Sequence, residues 1–410
     1  MVTSFKKLKT FLLENAATCL HSAEGMLKYP FVTPSFGVVA GGDDKAAIAS
    51  RSTSGHYLQM YDWDSCFFSQ QAKALGVSDL RKSIFLNFLC LQEDDGYVPR
   101  TVSPSRIWDN GDLFKPFLCQ MLLAHVEAQP EDKSLLAENI NKLDKYLSYF
   151  IKNRQHESGL FHWRNVLESG VDDNLALLAP IEAAKGENED LAKFPDGQIL
   201  AADLNAYLVA EFSALAKLCQ FVKETALAEK YRALEDRTKT LIESKLFDPS
   251  IGMYSNYDPV SNTLISLRSW TGLVPVMLGI AHNERARIVI EQNVMDSKHF
   301  LRPAGLASYA ASESLYNQAP RGLYGRVKVS NWQGPMWILP NALMVRELLR
   351  SGYGQQATEI AVRVLRTMLN DVEVNGTLHE NYHAETGQPL WAPSFMSWNI
   401  LALELLELVS

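Results

Sequence analysis

Two stretches far apart in the chain place carboxylates beside glycine and aromatic residues: "ESGVDDN" at 168–174 and "HENYHAETGQPLW" at 379–391. Paired carboxylates suit glycoside hydrolysis, in which one acid protonates the leaving oxygen and a second group activates water or attacks the sugar carbon. In the inverting form the two carboxyls stand about 6.5–9.5 Å apart so that a water fits between base and sugar. The chain carries 47 Asp and Glu, and a randomly chosen one is a solvated surface group. Composition alone therefore does not select the pair, and an acidic surface loop would read the same way.

Aromatic residues interleaved with acids and amides narrow the chemistry. "YDWDS" (61–65) sets Tyr61 and Trp63 beside Asp62 and Asp64, and "NWQGPMW" (331–337) joins Trp332, Gln333 and Trp337 around a glycine. Sugar rings present apolar C–H faces edged by hydroxyls, so a carbohydrate pocket needs flat aromatic walls with fixed polar groups at their edges. Each tryptophan taken alone serves equally well as a core aromatic.

Other chemistries lack their motifs. There is no GxSxG, phosphate-binding Gly-rich loop with Lys-Ser/Thr or GxGxxG, which disfavours serine hydrolysis, nucleotide binding and dinucleotide cofactors. His379 and His383 form an i, i+4 pair, but Asn381 and the Thr386-Gly387 turn place them in a loop. The net charge of −8 and the absence of Lys/Arg runs argue against a nucleic-acid surface, and no run of eighteen apolar residues suggests a membrane span. Five cysteines, at 19, 66, 90, 119 and 219, show no CxxC pair and suit reduced thiols in the cytoplasm.

The elements that must position these residues are helices. Phe5, Leu8, Leu12 and Leu13 recur at helical spacing, with Glu14 interrupting the apolar patch, so an amphipathic helix is expected there in place of a secretion signal. Residues 203–219 carry an apolar face with Asp203 as N-cap, and 224–246 repeat the form. Further helices are predicted near 65–75, 80–92, 112–127, 134–152, 335–350 and 355–369. A glycine turn followed by apolar or aromatic residues recurs as "EDDGYVP" (93–99), "HESGLFHW" (156–163), "DPSIGMYSNY" (248–257) and "AETGQPLW" (384–391). Four such turns between long helices suggest helical hairpins in a ring, with the turns gathered on one rim. The polar stretch 182–197 reads as an exposed insertion within one domain spanning 1–410.

Taken in order, "YDWDS", "ESGVDDN", "VKVSNWQGPMWILPN" and "HENYHAETGQP" resemble the motifs of the processing α-glucosidase family and its bacterial glucosylglycerate and mannosylglycerate hydrolase relatives, over about residues 55–400. The resemblance implies an all-α, six-hairpin (α/α)6 toroid and an inverting mechanism without metal or organic cofactor. It puts the general acid at Asp172, with Asp173 supporting, and the general base at Glu380, with Glu385 as the competing carboxylate. Asp64 would hold sugar hydroxyls, Trp63 and Trp332 would wall the pocket, and Tyr61 and Gln333 would line it. Three departures stand out: Tyr61 and Gln333 replace a family Trp and Arg, and Lys115-Pro116-Phe117 replaces Gln-Pro-Pro. Lys115 then either contacts an anionic aglycone such as glycerate or lies in solvent at a helix start. The N-terminal β-sandwich of larger members is missing, which implies a small glycoside. Trehalase has the same fold, but its Gly- and Arg-rich signature is absent. The rival expectations are a sugar epimerase, which needs a histidine pair inside the barrel, and a non-catalytic sugar-binding toroid.

Overall fold

The computed structural model describes residues 2–38, 57–108, 111–177, 199–323 and 330–410. The segment expected as an insertion, 182–197, lies outside the described residues, as do Val327, Lys328 and Val329 of the third motif. In chain order the helices are α1 (Val2–Ala17), α2 (Asp62–Ser69), α3 (Leu80–Leu89), α4 (Leu118–Ala128), α5 (Ser134–Arg154) and α6 (Ala202–Phe221). They continue with α7 (Thr225–Leu241), α8 (Val274–Met277), α9 (Asn283–Val289), α10 (Ile338–Arg350), α11 (Gly354–Asn375) and α12 (Ala402–Leu408). The expected helices fall on these, and the short α8, α9 and α12 were not anticipated.

Burial alternates along the series. The even-numbered helices are buried on most sides; all of α2 and α8 is buried, and α6 and α10 expose few residues. The odd-numbered α7 buries only Ala228, Tyr231 and Thr238, and α9 only Val289. A helix hydrophobic all round has to be covered on every side, and a closed ring of such helices inside an outer layer achieves this. The inner ring runs α4–α6–α8–α10, then through the 3-10 turn Ser397–Leu401 to α2. It closes where Phe67 of α2 meets Phe117 at the head of α4, edge to face at 5.6 Å. Outside it, α3 packs on α2 and α4, α7 on α6, and α11 on α10, while α1 spans α11 and α12. In α1, Phe5, Leu8 and Leu12 turn inward, as their spacing predicts.

After each outer helix the chain turns back at a glycine of positive φ: Gly25 (56°), Gly96 (100°), Gly159 (91°), Gly252 (64°), Gly305 (144°) and Gly387 (73°). Four of these were legible in the sequence. Gly25 and Gly305 were not anticipated. At Gly96 a Cβ would also collide with the Lys145 carbonyl, so both conformation and space demand glycine there. Short antiparallel hairpins accompany the turns, and every sheet among the described residues has two strands.

A second device repeats with the turns. Near the head of an inner helix a fully buried asparagine bonds both the carbonyl four residues back and the preceding hairpin. Asn205 donates to the Ala201 and Phe161 carbonyls (2.8 and 2.9 Å) and accepts from the Phe161 N–H (3.0 Å). Asn341 donates to Trp337 and Leu306 (2.7 and 3.0 Å) and accepts from the Leu306 N–H (2.7 Å). Asn399 donates to Phe395 and His379 (2.9 and 2.8 Å). Each one satisfies backbone groups that the hairpin leaves unpaired inside the core. The expected N-cap role of Asp203 is corrected: Ala201 is the N-cap of α6, and the Asp203 carboxylate accepts the Trp163 indole N–H (3.1 Å) and the Leu204 N–H (2.8 Å).

Replacing Asn341 with Ala strands the buried Leu306 N–H and C=O and is expected to lower unfolding stability by roughly 1–3 kcal/mol, measured by urea denaturation. A change within error would show that this asparagine is dispensable for joining hairpin to helix.

Candidate active site

Because the turns lead from outer helices into inner ones, the inner helices all begin at one end of the ring, and the predicted site residues gather there. Asp62, Trp63 and Asp64 open α2, Trp332 and Trp337 precede α10, and Glu380 sits in the strand His379–Tyr382 leading toward α12. Asp172 follows the single helical turn Val166–Ser169, between α5 and α6.

The strand of Glu380 is fixed from three sides. It pairs with Pro389–Pro393, with a bulge between Asn381 and Tyr382. Tyr382 and Met336 exchange backbone hydrogen bonds (2.9 and 2.7 Å), which ties it to the tryptophan loop. His379 and the Tyr382 hydroxyl both bond the buried Asp371 of α11, each at 2.9 Å. Glu380 is 4% exposed. Its carboxylate accepts the Tyr57 hydroxyl (3.0 and 3.1 Å) and the Ser330 hydroxyl (3.0 Å). Burial pushes its pKa up to about 8, the Ser330 and Tyr57 hydroxyls pull it back, and the charges of Asp172 and Asp64 add to the rise.

The loop of Asp172 is pinned by its own motif. Glu168, fully buried, accepts two bonds from Arg154 (2.7 and 3.1 Å) and two from the backbone N–H groups of Leu113 (3.1 Å) and Arg164 (2.6 Å). Asn165 caps the turn by accepting the Glu168 N–H (2.7 Å). Gly170 then reverses the chain at φ 75°, and a Cβ there would strike Trp63. Asp172 emerges partly exposed, near enough to Glu380, Tyr57 and Arg100 for its charge to act on all three. The structure thus brings together carboxylates from both stretches. Asp173 turns away, as expected: its Oδ1 accepts the Trp332 N–H (2.9 Å) and its carbonyl accepts the Gln333 side chain (3.1 Å).

The remaining predicted residues divide. Asp64, 7% exposed, accepts the Ser397 hydroxyl (2.8 Å), and burial pushes it up to about 6. Trp63 and Trp332 are 2% and 3% exposed. They belong to a cluster in which Trp332 lies flat on Trp337 (centroids 3.6 Å, 6°), stacks with Trp270 and neighbours Trp63 and Trp398. Both are therefore core aromatics. Tyr61 donates to Gln59 (3.0 Å) and packs edge-on against Tyr57.

Two expectations are corrected. Lys115 is not solvated. It is wholly buried, its ammonium pairs with Asp62 (3.1 Å) and lies 4.6 Å over the Trp63 ring, and burial lowers its pKa to about 8. Gln333 is also fully buried. It accepts from Asn317 (3.0 Å) and the Leu323 N–H (3.2 Å) besides bonding Asp173, so it ties loops together. The competing Glu385 is bound by Arg302 (2.6 and 2.8 Å) and the Tyr316 hydroxyl (2.7 Å), which hold its carboxyl below its usual range.

Tyr57 and Ser330 were missed. They lie 323 and 50 residues from Glu380, and only the position of Ser330 inside "SNW" hinted at a role. The histidine pair expected of an epimerase is not found at Glu380 among the described residues. His379 bonds Asp371, His383 accepts the Glu385 N–H (3.2 Å), and His125 bonds Asp132 (2.7 Å). Asp79, His125 and Asp132 lie close enough to hold a cation, but the Lys82 ammonium already occupies their centre, 2.8 Å from Asp132 and 3.3 Å from Asp79.

Comparison with known proteins agrees with this architecture. The fold matches the mannosylglycerate hydrolase of Thermus thermophilus, solved with glucose, at a TM-score of 0.71 and 18% identity, covering 97% of this chain and 99% of that one. It also matches the neutral trehalase of Saccharomyces cerevisiae, at a TM-score of 0.63 and 15% identity over 86% of this chain and 72% of that one. In sequence, a periplasmic trehalase of Pseudomonas aeruginosa is 22% identical over 376 residues, 82% of this chain. The chain spans 65% of that trehalase's length. Residues 57–398 match the family model of the mannosylglycerate hydrolase MGH1-like glycoside hydrolase domain, and with its helices closed into an (α/α)6 toroid the chain belongs to that family.

Proposed function

We propose that the protein is an inverting α-glycosidase acting on a small α-glucoside or α-mannoside of the glucosylglycerate type, with Asp172 as general acid and Glu380 as general base. The reading is supported by the nearness of these two carboxylates, one from each motif, close enough for the charge of Asp172 to act on Glu380. Asp172 donates a proton to the glycosidic oxygen as the bond to the anomeric carbon lengthens. Glu380 takes a proton from a water that attacks the opposite face of the sugar. Two hydroxyl donors fix the Glu380 carboxylate, so it is aimed before substrate arrives. The substrate class is supported by the Thermus hydrolase, which has also been solved with Tris and D-glycerate. A cytoplasmic setting is part of the same reading, supported by five free cysteines, four of them buried.

Proton NMR of the products from a panel of α-glucosides and α-mannosides, including glycerate conjugates and trehalose, tests the proposal. The β-anomer is expected to appear first; initial release of the α-anomer would contradict the assigned roles. Asp172→Asn and Glu380→Gln should each lower kcat about 10²–10⁴-fold, and near-normal turnover in either would remove that residue from the mechanism.

The acidic limb of the kcat/KM profile should follow ionisation of Glu380 in the free enzyme. Tyr57→Phe deletes a donor that stabilises the carboxylate, so the Glu380 pKa rises and the limb moves to higher pH. A limb that stays in place or moves to lower pH would separate Glu380 from the titration that controls activity.

A further inference from the structure

A second cavity, of about 440 Å³, lies toward the ends of α2, α8 and α10, about one to two helical turns beyond Asp64. It includes none of the site residues described above. Its walls are chiefly apolar, with Phe67, Phe117 and Leu343 among them. Its volume falls in the range of small-molecule sites, roughly 300–1,000 Å³.

Two polar groups in this cavity lack partners among the described residues. Arg346 is not one of them, being committed to Glu404 through two bonds of 2.7 Å, with Gln70 accepting a third at 2.8 Å. Arg81, partly buried at the start of α3, has no hydrogen-bond or ion-pair partner among the described residues, and no carboxylate acts on it. Tyr207, 2% exposed and packed edge-on to Phe117 at 5.0 Å, lines the same space, and its hydroxyl likewise has no partner among the described residues. Desolvating a guanidinium without a counter-charge costs free energy that a bound anion recovers. One uncommitted guanidinium, with the Glu404 carboxylate also on the wall, favours a monoanion. Aromatic walls favour a flat apolar body.

We infer that this cavity is a binding site for a small aromatic or apolar monocarboxylate, with Arg81 pairing the carboxylate, Tyr207 donating to it and Phe67 and Phe117 holding the body. The test is calorimetric titration of the full chain with 2-naphthoate and with its uncharged counterpart 2-naphthamide. Naphthoate should bind at least tenfold more tightly than the amide. Arg81→Gln should remove that preference, Leu278→Trp, which fills the cavity, should abolish binding, and Glu380→Gln should leave it unchanged. Absence of naphthoate binding, equal binding of the amide, unchanged affinity in Arg81→Gln, or loss of binding in Glu380→Gln would each overturn the inference. The comparison of acid with amide uses the unmodified protein and does not depend on any variant folding.

Discussion

The burial of Glu380 is the constraint around which the acidic end of the ring is arranged. A carboxylate removed from water is unstable as an anion unless hydrogen bonds replace its hydration, and here two hydroxyls from distant segments do so. Nearby acids are handled differently. Asp62 is matched by Lys115, Glu168 by Arg154, and Glu385 by Arg302. Asp173 is given to a backbone N–H. The cations are thereby committed to structural acids, and Glu380 is left to hydroxyls and to the influence of Asp172 and Asp64. Its pKa accordingly lies where a group can both hold and release a proton near neutral pH.

Such an arrangement requires loops that do not drift, and the fold supplies rigidity through repetition. Six glycine turns deliver the chain from the outer layer to the heads of the inner helices. Buried asparagines at three of those heads bind helix and hairpin into one unit. The tryptophan cluster belongs to the same scaffold. Because Trp332 stacks on Trp337 while its backbone N–H holds Asp173, the tryptophan cluster and the loop carrying Asp172 are mechanically joined. Lys115 serves this joint from behind, beneath Trp63.

Much of this was legible before any coordinates. Helical periodicity located the long helices, since a 3.6-residue pattern survives wherever one face is buried and the other wet. It failed to announce α8, which is short and apolar all round and so carries no contrast, and α12, whose seven residues are too few to establish a repeat. Four of the glycine turns were visible in the sequence, while those at Gly25 and Gly305 were not. Lys115 and Gln333 were misread because residue type does not record burial: a lysine at a helix start is ordinarily wet, and only the Asp62 carboxylate makes its interior position tolerable.

The sequence by itself determined the helical class, the turn glycines and, through motif resemblance, which acids to pair. Those are properties of residue type and local spacing, which the order of letters carries directly. Tertiary structure decided that Tyr57 and Ser330 would bond the carboxylate of Glu380, 323 and 50 residues away. It also decided which acids would meet a cation and which would not. Such partnerships arise from closing the ring, which brings residues from opposite ends of the chain to one rim with no trace in their spacing.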